Sequence, residues 1–390
     1  MTDFYDAVVV GGGPCGATAA NNLARAGRSV LLLDKAGRTK PCGGAIPPRL
    51  IQDFGIPGDL LAARVTSARM IAPSENAVDM PIENGFVGMV DRAVFDEWLR
   101  NRAAANGAVR RIGQFEAFGR NAAGNALVQF RSADGSAASV AARVVIGADG
   151  AKSKVAAQCI PGAKDIPHVF AYHEIVRSPA TGFDGTRCDV YYQGRLSPDF
   201  YGWVFPHGDT TSVGSGSMQK GFSLRQSVTN LRQAAGLNDA QTIRREGAPI
   251  PLHPMRRWDD GRDVIVAGDA AGVVAPASGE GIYYAMEGGR LAAEAADAFL
   301  VSGDPKALRV ARKRFMRAHG RVFWILRMMQ WFWYSSDKRR ERFVSICRDA
   351  DVQRLTWDSY MNKRLTRKNP AAHVRIFFKD LAHLLGLVSA

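Results

Sequence analysis

The sequence predicts an α/β protein with a parallel βαβ unit at its start, a β-rich middle and a helical C-terminal segment. Three observations carry this. Residues Tyr5 to Asp34 run as an apolar stretch, a glycine turn, a small-residue stretch and a second apolar stretch, the order of a strand–helix–strand unit. Residues 65–90 and parts of 165–250 alternate apolar and polar positions with the period of half-buried strands. Residues 301–390 carry 20 Lys and Arg against 7 Asp and Glu, nearly the whole surplus of a chain whose net charge is +14. With 390 residues, 46% of them apolar, the chain is long enough for two or three packed units.

In order, Ala7 to Val10 reads as a buried strand. Gly11-Gly12-Gly13-Pro14-Cys15-Gly16 follows as G-x-G-x-x-G, then a helix from Ala17 to Ala26 closed by Gly27. A second strand from Ser29 ends in Asp34, with Lys35 beside it. Each part has a physical task. Gly11 permits the tight turn, Gly13 lets backbone approach a pyrophosphate, and Gly16 lets the helix lie close to the strand. Pro14 suits a first helical turn, where its missing N–H costs nothing. The remaining N–H groups and the helix dipole favour an anion. Asp34 can accept hydrogen bonds from both ribose hydroxyls and would repel a 2′-phosphate. The unit therefore suits the ADP half of FAD or NAD.

Pro41, Gly43, Gly44, Pro47 and Pro48 then forbid regular structure, so Cys42 sits in a shaped loop. It is either a turn with an incidental cysteine or a loop that allows close ligand approach. A helix opens after Asp91 with Arg92 in its first turn, an unfavourable place for a cation. A nearby anion would justify it; a surface arginine is the plain alternative. Residues 108–146 read as hairpin-like strands ending in Gly147-Ala148-Asp149-Gly150, an acid–glycine turn suited to a second approach to the dinucleotide.

Within 165–250, Tyr201-Gly202-Trp203-Val204-Phe205-Pro206 places three large rings at period two, on one strand face. Core packing would explain them equally well. A further strand ends in Gly268-Asp269, followed by Gly279-Glu280-Gly281 and a long Ala-rich helix. An acid followed by a helix terminus suits the ribityl chain and pyrimidine end of a flavin, where the dipole stabilises negative charge on the reduced ring. In the C-terminal segment, 323–334 is aromatic and apolar. Residues 373–390 set Val374, Phe377, Phe378, Leu381, Leu384, Leu385 and Val388 at helical spacing beside Arg375 and Lys379. Basic amphipathic helices with Trp and Phe suit a membrane interface; packing on the body is the alternative. The charge alone would fit nucleic acid, but the flavin-like body does not. Asp3 and Asp6 stand where a signal peptide would be basic, so none is expected. No apolar run reaches spanning length. Five scattered cysteines without a C-x-x-C pair point to a reducing compartment and no metal site.

These stretches together resemble the FAD-dependent geranylgeranyl reductases, in the branch of chlorophyll and bacteriochlorophyll synthesis. The glycine turn with Asp34, Asp91-Arg92-x-x-Phe95-Asp96, the Asp149 turn and Gly268-Asp269 are shared with a wide superfamily that includes aromatic hydroxylases. Pro41-Cys42-Gly43-Gly44 and Tyr201-x-Trp203-x-Phe205-Pro206 are more specific. The resemblance implies an aromatic-hydroxylase-like fold. A discontinuous FAD-binding domain (1–64, 91–164, 251–305) interleaves with a β-sheet substrate domain (65–90, 165–250), and a helical segment (306–390) follows.

It also implies saturation of the isolated double bonds of a geranylgeranyl chain, giving a phytyl chain. The prenyl group would be carried on a tetrapyrrole or as the diphosphate. NADPH is the implied donor, and it must dock transiently, because no second G-x-G-x-x-G unit exists. Tyr201, Trp203, Phe205 and Pro206 would wall the substrate slot with Gly43 and Gly44, and Cys42 or a bound water would supply the proton. The protein would lie peripherally on the cytoplasmic side of a photosynthetic membrane, near pigment-synthesis enzymes. A flavin monooxygenase acting on aromatic or quinone rings, and a non-catalytic prenyl-lipid escort, are the competing readings.

Overall fold

The structure is a computed structural model and describes residues 3–35, 40–83 and 85–363. It is a mixed α/β protein in which two compact units interleave along the chain. The first takes residues up to Lys40, Arg92–His168 and Pro249–Phe323; the second takes Pro41–Asp91, Val169–Ala248 and the described residues from Trp324.

The first unit is built on a six-stranded sheet. Phe4–Val10 lies between Val30–Asp34 and the end of Ala137–Gly147, parallel to both, and Val264–Val266 extends the parallel run. Their stretches 7–10, 30–33 and 264–266 are apolar and buried, as expected of a sheet covered on both faces. Val109–Arg120, Ala126–Ser132 and Ala137–Gly147 form the hairpin-like series read from 108–146. The helix Pro14–Arg25 packs on the long helix Ile282–Ser302, and Gly289 makes the approach possible: a Cβ there would lie 2.2 Å from the Cys15 carbonyl oxygen.

The second unit carries a seven-stranded sheet. Its order is Thr242–Pro251, His168–Arg177, Thr210–Ser217, Gly202–His207, Arg187–Tyr191, Ser67–Ile71 and Ala77–Pro81. The helix Leu224–Ala234 covers one face, where Val228 and Leu231 pack with Val176, Val204 and Val213. A small sheet joins Ala45–Ile46 and Leu61–Val65 to opposite edges of Val87–Val90.

Two domain boundaries differ from expectation. Residues 41–64 cluster with the second unit rather than with the dinucleotide-binding part, because both of their strands pair with Val87–Val90. The described residues of the segment 306–390 do not cluster as one unit. Its residues to Phe323 cluster with the first unit and its described residues from Trp324 with the second. The segment is helical where described, as Arg309–Trp333, Asp337–Ile346 and Ala350–Asn362. The amphipathic stretch expected over 373–390 lies outside the described residues.

Candidate functional site

In the first unit, Val10, Gly147 and Val266 are register neighbours at the carboxyl ends of parallel strands. The three turns that follow them, at 11–16, 148–150 and 268–269, therefore open on one sheet edge, where doubly wound folds bind ligands. Two glycines are required there by close approach. A Cβ on Gly11, whose φ is +106°, would lie 2.4 Å from the Ala148 carbonyl oxygen. A Cβ on Gly16 would lie 1.8 Å from the Gly11 carbonyl oxygen. Gly13 differs: a Cβ there would meet nothing within 4 Å. It caps the helix Pro14–Arg25, which has no side-chain cap and no acid in its first turn. Its free N–H groups and positive dipole end have open space in front of them, so the cradle fits a pyrophosphate.

Asp34 Oδ1 accepts from the Gly12 amide at 2.9 Å, which ties the acid to the glycine turn. Arg100, not singled out in the sequence, lies 3.3 Å from Asp34 Oδ2 and donates to the Gly12 carbonyl at 3.1 Å. It sits two helical turns beyond Arg92. The spacing 92, 96, 100 was the available signal, since positions four apart share a helix face. The anion expected near Arg92 is Asp96, which accepts two hydrogen bonds of 2.8 Å in a buried pair. Lys35 is exposed.

Asp149 serves its own chain. Its carboxylate accepts from Ser153 Oγ at 2.5 Å and from the amides of Lys154 and Val155 at 2.7 and 3.2 Å, at the start of the helix Lys154–Cys159. Burial pushes its pKa up, against these hydrogen bonds. Asp269 pairs with Lys40. Gly268 has φ +62° and packs on Cys15, where a Cβ would lie 2.8 Å from the Cys15 Cβ. Gly281 caps the helix Ile282–Ser302, where a Cβ would lie 3.7 Å from Asp269 Oδ1, and Gly279 has φ +64°.

The second unit gathers the other set. Tyr201 and Trp203 meet edge-on with centroids 6.0 Å apart, and Trp203 and Phe205 follow at 6.3 Å. The three rings form one row, on the sheet face opposite Val204. Pro206 lies past the stretch that pairs with Arg187–Tyr191, so its missing N–H breaks no bond on that side. The Pro41–Gly44 loop lies against this strand. A Cβ on Gly43 would sit 3.0 Å from the Phe205 ring. A Cβ on Gly44, at φ +73°, would sit 2.4 Å from His207 Nε2 and 2.6 Å from the Val90 carbonyl oxygen. Cys42 is half-buried, and its Sγ accepts from the Gly44 amide at 3.4 Å. His207 closes the same strand, two residues past Phe205. Its Nδ1 lies 3.0 Å from the Phe205 carbonyl, which makes Nδ1 the donor and leaves Nε2, beside Gly44, as the acceptor nitrogen of the neutral ring. Burial holds its pKa below the usual histidine range.

Residues 5–165 match the family model described as FAD binding domain. The chain is 60% identical over 386 residues to a geranylgeranyl diphosphate reductase of Rhodobacter capsulatus, covering 98% of each chain. The chain belongs to the geranylgeranyl diphosphate reductase family. A chloroplastic member from Oryza sativa is 36% identical, covering 97% of this chain and 85% of its own. The reductase family's fold is also seen in a crystal structure of a geranylgeranyl bacteriochlorophyll reductase-like protein from Thermoplasma acidophilum. It has a TM-score of 0.82 and 22% identity, and the match covers 95% of this chain and 99% of that one.

Proposed function

We propose that the chain is an FAD-dependent reductase that saturates the isolated double bonds of a geranylgeranyl chain. The observation that carries the reading is the Pro41–Gly44 loop laid on Phe205 and His207 of the ring strand. It is a feature of residues outside the shared cofactor motifs, in a chain that matches a geranylgeranyl diphosphate reductase along its length.

The residues divide the work. Gly13 and Pro14 would receive the pyrophosphate at the helix terminus, with Gly11 and Gly16 shaping the turn. Asp34, held by the Gly12 amide and Arg100, would accept from the ribose hydroxyls. Asp269, Gly279 and Gly281 would face the ribityl and pyrimidine end, where a helix dipole favours negative charge. When bound and reduced, the flavin supplies hydride. An isolated alkene is unpolarised, so a proton must reach the other carbon in close time, and the site must be dry. Tyr201, Trp203 and Phe205 offer an apolar wall for the chain and exclude water. Cys42, or a water held at its loop, would deliver the proton.

NADPH is the donor in this reading and docks only transiently. The prenyl group arrives as the diphosphate or on a tetrapyrrole. Among the described residues no helix is long and apolar enough to cross a membrane. The helix Arg309–Trp333 instead exposes Lys313, Arg317 and Arg321 and then Trp324, Met328 and Trp331 along one stripe, the three apolar residues at 65, 41 and 69% exposure. A cationic half leading into an aromatic half suits peripheral contact with an anionic bilayer.

The test is anaerobic. NADPH and then geranylgeranylated bacteriochlorophyll, or geranylgeranyl diphosphate, are added to the flavin-loaded protein, and flavin absorbance and product mass are followed. Flavin reoxidation with a gain of two hydrogens per step, without oxygen, is expected. Reduced flavin that persists with either substrate until oxygen enters would overturn the reductase in favour of a monooxygenase.

A further inference from the structure

Beneath the ring strand lies a buried polar chain that the proposed reaction does not use. Trp203, Gly214 and His173 face one another across three adjacent strands. Gly214 has no side chain, and the Trp203 indole fills the space: a Cβ on Gly214 would lie 2.1 Å from indole Cζ2 and 2.6 Å from His173 Cβ. The indole therefore leans across Thr210–Ser217 toward His173, and its Nε1 donates to Ser212 Oγ at 3.1 Å. Ser212 Oγ lies 2.9 Å from His173 Nδ1, and His173 Nε2 lies 2.9 Å from Glu246 Oε2. Ser212 is fully buried and His173 nearly so.

With a neutral His173 ring the chain runs in one direction. A carboxylate only accepts, so His173 Nε2 carries the hydrogen given to Glu246. In the neutral ring Nδ1 is then an acceptor and takes the Ser212 hydroxyl hydrogen. The Ser212 oxygen is left to accept from the indole. Arg244 Nε, 3.3 Å from Glu246 Oε1, anchors the far end. Tyr201 and Phe205 meet the same indole from either side along the strand.

We propose that His173 and Ser212, backed by Glu246, are positioning residues. They hold the Trp203 indole in one orientation, so that the row of rings presents a fixed wall to the prenyl chain. A hydrocarbon chain offers no polar handle, so its register against the hydride donor depends on wall shape alone. An indole free to rotate about its side-chain bonds would blur that register. This rests on the prenyl-reductase reading, and the test separates the two.

The first readout needs no substrate. In 15N-labelled protein the Trp203 indole N–H signal, assigned by its loss in Trp203→Phe, should shift and exchange faster with solvent in Ser212→Ala. The second is kinetic. Ser212→Ala should lose roughly five- to tenfold in kcat/KM, the scale of one hydrogen bond, with partly reduced prenyl products accumulating. In a Trp203→Phe background the same change should cost nothing further. If Ser212→Ala does not fold, His173→Gln carries both readouts. An indole signal unmoved by either change, or losses that multiply in the double variant, would overturn the relay. A wild-type protein that reduces no prenyl chain would remove the function reading, and the indole signal would still decide the relay.

Discussion

Replacing Gly44 by alanine should disable prenyl reduction while leaving the flavin in place. Two independent costs meet at this residue. Its φ of +73° lies in the left-handed region, where a Cβ costs roughly 1–2 kcal/mol. The added carbon would also stand 2.4 Å from His207 Nε2 and 2.6 Å from the Val90 carbonyl oxygen. Overpacking of this kind costs about 1–3 kcal/mol. Together about 2–5 kcal/mol must be absorbed. The histidine can swing aside, but the backbone carbonyl cannot move without shifting Val87–Val90, which pairs with both small strands. The loop is the cheaper element to move, and it carries Cys42. If the displacement must be undone to react, the lower bound corresponds to roughly a 30-fold loss in kcat/KM. The assay is single-turnover reoxidation of reduced flavin by substrate, with flavin content measured in parallel. Flavin content should not change, because the cradle belongs to the other unit. The double variant Gly44→Ala/His207→Ala should recover only part of the loss, since the Val90 carbonyl remains. Full activity and unchanged melting temperature in Gly44→Ala would refute the reasoning.

Four further outcomes follow from the same structure. Gly16→Ala places a carbon 1.8 Å from the Gly11 carbonyl oxygen and should yield protein without bound flavin, read as loss of yellow colour and of flavin absorbance. His207 is held neutral by burial, its folded pKa lying below the unfolded one. Its contribution to stability is therefore present above the unfolded pKa of about 6.5 and is lost as pH falls toward the folded value; melting temperature should fall less with acid in His207→Gln. Replacing Arg317 and Arg321 by Gln should weaken binding to anionic vesicles about 30-fold, at about 1 kcal/mol per charge. Trp324→Ser with Trp331→Ser should weaken binding to zwitterionic and anionic vesicles alike, both read by flotation.

The βαβ unit was legible because its signals are local. Apolar runs, a glycine at each tight point and an acid at the end of the second strand all lie within thirty residues, and Pro14–Arg25 and Val30–Asp34 form where expected. The row of rings was legible for the same reason, since period two is a property of one strand. The C-terminal segment was legible as helix but not as a place in the fold, because its charge says where water is and not which unit its apolar side meets.

What the sequence left open was every pairing between distant segments. It offered Cys42 as an incidental turn or a ligand loop, and nothing near residue 42 says that Gly43 and Gly44 will lie on Phe205 and His207, some 160 residues on. It presented Asp149 as a second ligand contact, whereas the carboxylate is turned toward the next helix by three local donors. It gave no weight to Arg100, Ser212 or His173, because a lone polar residue in a strand or helix has no periodicity to mark it. The physical reason is the same in each case. Local sequence sets backbone propensity and which face is apolar, but a buried hydrogen bond or a missing Cβ gains its meaning from the atom opposite. That atom is chosen by strand register and sheet order, which only the folded chain determines.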